Sequence, residues 1–143
     1  MKYLLDTNIV SELVAKRPNP RVVKWVDSLD PDNLYLSVIT IGELRKGVEK
    51  LPNSKRKEAL SYWLSDDLLI RFSGRILVLD VEVMLTWGEL TGSIEPTRKT
   101  VSAIDSLIAA VALNHNCTLV TRNEDDFRKL GITILNPWKE HES

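Results

Sequence analysis

Short apolar runs alternate with longer stretches of helical period along the chain, and acidic or hydroxyl residues stand at most of the boundaries. Residues 3–5 (Tyr-Leu-Leu) form a brief apolar run ending at a polar cluster, the pattern of a buried strand. Asp6-Thr7-Asn8 then offers caps for a helix that starts near Ile9 and fades at Arg17-Pro18-Asn19-Pro20. Pro20 suits a first helical position, and Val22, Val23, Trp25 and Val26 give the next helix its apolar side. After a turn at Asp30-Pro31-Asp32-Asn33, residues 34–39 predict a second strand. Thr40-Ile41-Gly42-Glu43 opens a helix with Ile41, Leu44 and Val48 inward.

Pro52-Asn53-Ser54 interrupts that helix and starts a longer one over 55–72, where Leu60, Trp63, Leu64, Leu68 and Phe72 recur at helical spacing. Ser73-Gly74 ends it. A third strand is expected at 76–79, followed by a helix capped by Asp80 and packed through Met84, Trp87 and Leu90. Residues 92–100 are polar and read as a loop. A helix rich in alanine and leucine covers 102–114. A fourth strand at 119–121, a short helix at 123–130 and a fifth strand at 132–135 complete the pattern, with 137–143 as a tail. Strands alternating with helices predict an α/β protein with a parallel sheet covered on both faces. No internal repeat or linker divides the 143 residues, so a single domain over 1–143 is expected.

Composition narrows the class. With 43% hydrophobic and 27% charged residues, the chain is that of a globular protein and not a disordered one. Nineteen basic against 20 acidic residues leave a net charge of -1, so any attraction for nucleic acid must come from a local patch. The single cysteine, Cys117, excludes an internal disulfide and suits a reducing cytoplasm. Its apolar surroundings read as a small buried hydrophobe. No apolar segment reaches the ~20 residues that span a bilayer, and no signal peptide is visible, so a cytoplasmic protein with no membrane attachment is expected.

Four acidic residues stand near the starts of predicted helices: Asp6, Glu43, Asp105 and Asp126. Each has a plain explanation as a cap, since Thr40 to Glu43, Ser102 to Asp105 and Asn123 to Asp126 all have capping-box spacing. Jointly they say more. Asp6, Glu43 and Asp126 follow strands, so in a parallel sheet they emerge on one edge, toward which the helix of Asp105 can turn. Carboxylates gathered in one crevice repel, and either basic partners or a hard divalent cation must relieve them. Oxygen-only ligation suits Mg²⁺ or Mn²⁺, whereas zinc would call for histidine or cysteine, and His115 and His141 lie outside the cluster. Acidic clusters of this kind serve phosphoryl chemistry. Arg45, Lys46, Arg98, Lys99 and Arg122 are candidates to hold a polyanionic substrate, with Arg122 preferred for its place on the same edge. Each also reads as an ordinary surface charge. Trp25, Trp63, Trp87 and Trp138 read as core, interface or tail anchors.

The segments Leu-Leu-Asp6-Thr7-Asn8, Ser37-Val-Ile-Thr-Ile-Gly-Glu43-Leu-Arg-Lys-Gly47, Asp105-Ser-Leu-Ile-Ala-Ala110 and Val120-Thr-Arg-Asn123-x-x-Asp126-Phe127 resemble the PIN-domain ribonucleases. The nearest likeness is to VapC-type toxins of toxin–antitoxin pairs, the FitB-like branch included. That resemblance implies a three-layer α/β/α fold with about five strands, a Mg²⁺- or Mn²⁺-dependent endoribonuclease, a homodimer, and inhibition by a VapB-like antitoxin. It also implies Asp6 and Asp105 as principal metal ligands, Glu43 as the third acidic residue, and Thr7, Asn8 and Thr121 as supports. The expected products carry a 5′-phosphate and a 3′-hydroxyl. Asn123 departs from the stricter pattern, which has aspartate there, and Asp126 either compensates or caps the last short helix. That substitution keeps a second reading open, a catalytically silent PIN domain that binds nucleic acid or protein. Asn8 argues against phosphoaspartate hydrolases, the lack of paired acids after the first strand and of a central phosphoacceptor argues against response regulators, and no Gly-x-x-x-x-Gly-Lys or Gly-x-Ser-x-Gly motif is present.

Overall fold

The computed structural model describes residues 1–97 and 100–139. Five parallel strands, β1 (Lys2–Leu5), β2 (Leu34–Ser37), β3 (Ile76–Leu77), β4 (Cys117–Val120) and β5 (Ile134–Leu135), lie in the order β3-β2-β1-β4-β5. The first strand is therefore the middle of the sheet. Tyr3 stands opposite Leu34 on one side, and Leu5 opposite Val120 on the other.

Successive residues of a strand face opposite ways, and here both faces are buried. Leu4 and Leu119 point into one core with Val83, Ile108, Val111 and Phe127. Leu5, Leu36 and Val120 point into the other with Ile9, Val10, Val22, Leu64 and Leu68. The helices sort accordingly. α1 (Thr7–Leu13), α2 (Pro20–Asp27), α3 (Val38–Glu49) and a long run built from α4 (Lys55–Tyr62), a π-helical turn (Trp63–Leu68) and α5 (Leu69–Arg71) supply the second core. α6 (Val81–Ile94), α7 (Ala103–Asn114) and α8 (Glu124–Arg128) supply the first. This is the expected three-layer α/β/α arrangement.

Several boundaries move for identifiable reasons. α1 begins at Thr7 and not near Ile9, because Asp6 caps it by accepting the Thr7 N–H. The second strand stops at Ser37, whose hydroxyl accepts the Thr40 N–H at 3.2 Å and starts α3 two residues earlier than expected. Thr40 and Glu43 consequently sit inside the helix and form no capping box. The long helix over 55–72 forms as predicted, with the π turn in its middle, and Gly74 ends it at φ +82°, where a side chain would be strained. In α6 the buried residue is Val83, while Met84 is 40% exposed. The predicted loop at 92–100 is displaced: α6 continues to Ile94 and a 3₁₀ turn covers Glu95–Thr97. Packing of Leu90 and Ile94 on the α7 core outweighs the weak helix propensity of Gly92 there. Among the described residues no helix is long and apolar enough to cross a membrane, and Cys117 is a buried free thiol.

Candidate active site

All strands being parallel, their carboxyl ends share one edge, and the strand order turns about β1. Ligands of open α/β sheets bind at such a point. Asp6 is the residue there. Its N–H still bonds the Val120 carbonyl at 2.9 Å, so the backbone is fixed by the sheet, and its side chain is 6% exposed. One carboxylate oxygen accepts the Thr7 N–H at 2.8 Å. The other accepts the Thr121 hydroxyl at 2.8 Å and faces Asn8 Nδ2 at 3.4 Å. Asp6 is both the cap of α1 and a buried acid.

Asn8 and Thr121 bind the ends of β1 and β4 together. Asn8 Nδ2 reaches Thr121 Oγ1 at 3.2 Å, Asn8 Oδ1 accepts the Arg122 N–H at 3.3 Å, and Thr121 Oγ1 accepts the Asn123 N–H at 3.0 Å. Glu43, on α3, is positioned by Thr7, whose hydroxyl donates to Oε1 at 2.6 Å. Asp105 lies in the first turn of α7, where Ser102 caps the helix by accepting the Asp105 N–H at 3.1 Å.

Asp6, Glu43 and Asp105 line one cavity of about 540 Å³, together with Thr7, Asn8, Arg122 and Asn123. The electrostatics record the crowding. Burial raises the Asp6 pKa to about 6 against the pull of the Thr121 and Thr7 hydrogen bonds, and the charges of Glu43 and Asp105 raise it further. The Asp105 pKa is raised as well, first by burial, with the charges of Asp126 and Glu43 adding to it against the Ser102 hydrogen bond. Oxygen donors that hold protons tightly for want of a counter-charge form a set whose chemistry fits a hard divalent cation. Among the described residues no three Asp, Glu, His or Cys side chains are drawn close enough to form a ready-made ion cage. The fit rests on donor chemistry.

The remaining expected residues divide. Asp126 does not line the cavity; its Oδ2 accepts from Asn123 Nδ2 at 2.8 Å, so the pair is joined side chain to side chain and Asn123 caps nothing. Arg122 lines the cavity with its guanidinium over the Trp138 ring, 5.2 Å from the centroid. Arg45 faces solvent, paired with Glu49. Lys46 lines a neighbouring groove. Arg98, Lys99 and His141 lie outside the described residues.

Three polar or aromatic cavity residues escaped the sequence reading, Ser11, Glu12 and Trp138, and with them Ala15. The first two carry a signal in hindsight, since Asn8, Ser11, Glu12 and Ala15 repeat at helical spacing opposite Ile9, Val10 and Leu13. Trp138 carries none. It belongs to the segment read as a tail, yet its indole N–H donates to Glu12 Oε1 at 3.2 Å and its carbonyl accepts from Arg21 Nη1 at 2.9 Å.

A family model described as the PIN domain matches residues 3–132. The chain belongs to the PIN-domain family. PIN-domain ribonucleases are in general dependent on divalent metal. Toxin FitB of Neisseria gonorrhoeae is 40% identical over 137 residues, covering 96% of this chain and 99% of that protein. VapC ribonuclease Y4jK of Sinorhizobium fredii is 34% identical, covering 95% and 97%. Among solved structures, FitAB bound to an IR36 DNA fragment superposes with a TM-score of 0.92 at 38% identity, covering 98% of each chain.

Proposed function

We propose that this PIN domain is a divalent-metal-dependent endoribonuclease, the toxin of a VapBC-like pair, held inactive by a small VapB-like antitoxin. The single observation that carries the reading is the buried Asp6, with its raised pKa, in a cavity it shares with Glu43 and Asp105. The names of its relatives, a toxin and a VapC ribonuclease, support the same reading.

In this reading Asp6 and Asp105 hold the cation, Mg²⁺ with Mn²⁺ as a substitute, and Glu43 is the third acidic group. When bound, the ion supplies Lewis acidity, lowering the pKa of water and offsetting the charge of the phosphodiester. Thr121, Asn8 and the Thr7 N–H keep Asp6 in a single orientation, and the Thr7 hydroxyl does the same for Glu43. Arg122 offers its cation to the RNA backbone. Hydrolysis leaves a 5′-phosphate and a 3′-hydroxyl. Asn123, a neutral donor backed by Asp126, makes a one-ion site the simpler arrangement.

The protein works in the cytoplasm as a homodimer, for which the exposed apolar side chains Val78, Val81 and Leu85 provide contact surface. The test is cleavage of a mixed structured-RNA pool by antitoxin-free protein with Mg²⁺ or Mn²⁺, with EDTA, and with Asp6→Asn or Asp105→Asn. Metal-dependent cuts absent from both variants are expected. Equal cutting by folded variants would remove those residues from their roles, and no cutting by the parent would favour the silent binding module.

A further inference from the structure

A second groove, of about 600 Å³, adjoins the carboxylate cavity, and Thr7 and Glu43 line both. Its floor is apolar, made by Ile39, Leu79, Ile104 and Leu107, and Lys46 on α3 and Lys50 at its carboxyl-terminal cap stand along it. Glu43, Lys46 and Lys50 fall at i, i+3 and i+7, which is one face of a helix. At 1.5 Å of rise per residue, roughly 10 Å of helix axis separates Glu43 from Lys50. Gly42 and Gly47 also line the groove, and a Cβ built on either meets nothing within 4 Å, so the helix surface is open to an approaching ligand.

The charges of α3 are distributed unevenly. Arg45 is neutralised by Glu49 one turn on, while neither the Lys46 nor the Lys50 ammonium group has an ion pair or hydrogen bond among the described residues. Lys46 lies one turn from Glu43, but that carboxylate is bonded to Thr7 instead. Two free cations therefore line the approach to a cavity whose own charge is acidic. A chain of net charge -1 has no overall pull on a polyanion, so local cations of this kind must supply it.

We propose that this groove is the track on which single-stranded RNA is held beside the cleavage site, with Lys46 and Lys50 on consecutive stretches of its backbone. The proposal rests on the ribonuclease reading and deepens it. A line of cations follows one phosphate backbone, the electrostatic part of single-strand binding, and the aliphatic floor gives the bases an apolar surface without an aromatic ring to stack on. Lys46 and Lys50 are positioning residues for the substrate and take no part in the bond cleavage.

The experiment uses Asp6→Asn protein, so that the probe survives, and a labelled single-stranded RNA titrated between about 50 and 200 mM salt. Each phosphate contact on a single strand contributes about 0.7 to the slope of log K against log salt. Adding Lys46→Ala and Lys50→Ala is expected to weaken binding several-fold at low salt and to reduce that slope by about 1.4. Lys→Arg at both positions is expected to restore the slope. In Asp6-intact protein the double alanine change is expected to raise KM with kcat retained. An unchanged slope in a protein that still cuts RNA would overturn the track and leave the ribonuclease reading standing. A change in oligomeric mass with an unchanged slope would also overturn it, assigning the groove to contact between subunits. Failure of the parent to cut or bind any RNA would overturn both.

Discussion

Thr7 donates its hydroxyl proton to Glu43 at 2.6 Å, so the first residue of α1 holds a carboxylate that lies 36 positions away on α3. The Thr40 hydroxyl is 3.2 Å from Thr7 Oγ1. With the Thr7 proton committed to the carboxylate, Thr40 must donate to Thr7. Thr40, fully buried, thus relays the position of α3 to that of α1.

Thr7→Val keeps the shape of the side chain and removes the donor. Hydrogen bonds to charged groups are worth about 1.5–3 kcal/mol, so kcat/KM is expected to fall by roughly tenfold or more while the fold persists. Thr7→Ser is expected to retain most of the activity. Steady-state cleavage at fixed metal concentration measures both, and a fully active valine variant would dismiss the role of this bond.

The raised pKa of Asp6 fixes a pH dependence and its sign. Between its ordinary value of 3.8 and about 6, the folded chain binds more protons at this site than the unfolded chain does. Metal-free stability therefore declines as pH rises through that window, by up to about 3 kcal/mol, and the loss is complete above it. Asp105 is shifted in the same direction. Metal-free Asp6→Asn is expected to melt higher than the parent at neutral pH and close to it near pH 4. Thermal melts across the range decide this, and parallel curves for the two proteins would contradict it.

The same protons compete with a cation. Metal affinity is expected to weaken as pH falls through about 6, each ion bound below that point displacing protons. Titration calorimetry in buffers of different ionisation enthalpy counts those protons. A binding constant independent of pH between about 5 and 8 would place the ion elsewhere than on Asp6.

Asp126 is outside the cavity wall but its charge raises the pKa of Asp105, and it holds the Asn123 amide at 2.8 Å. Asp126→Ala is expected to leave Asp105 easier to ionise and Asn123 free to rotate. A weaker metal titration would mean that the Asn123–Asp126 pair supplies the missing fourth acid. An unchanged one would reduce Asp126 to a brace for its own short helix.

Trp138 is fastened at its ring, its indole nitrogen and its backbone, by Arg122, Glu12, Arg21 and Asn136. Trp138→Ala is expected to cost about 2 kcal/mol, less than a fully buried tryptophan because the ring is only half-buried. Trp138→Phe is expected to lose less, keeping a ring under the guanidinium. Urea denaturation compares them, and an alanine variant of undiminished stability would show the segment to be loosely held.

What could be read from sequence was what repeats locally. The strand-then-acid pattern located Asp6 and Glu43, a capping-box position at a helix start located Asp105, and buried strands ending at polar residues located the sheet edge on which the structure gathers them. Helix starts were misplaced where two hydroxyls competed: Ser37 and Thr40 both fit a cap, and only the Ser37 hydroxyl meets the N–H in space. The loop at 92–100 failed because tertiary packing on Leu90 and Ile94 carries the helix through Gly92. Trp138 was legible as an anchor but not as part of the cavity wall. Its partners Glu12 and Arg21 lie more than a hundred residues earlier, and nothing near position 138 announces them.

The order of the strands also sets a schedule. Asp6 is made more than a hundred residues before Thr121, which completes its hydrogen bonding, and Val120, which pairs its backbone. Until β4 is laid beside β1, a growing chain carries a lone acid at the end of an unpaired strand. Asp105 and Arg122 are late as well. The centre is complete only once β4 has been made, and a chain stopped before Thr121 lacks the partners that hold Asp6 in place.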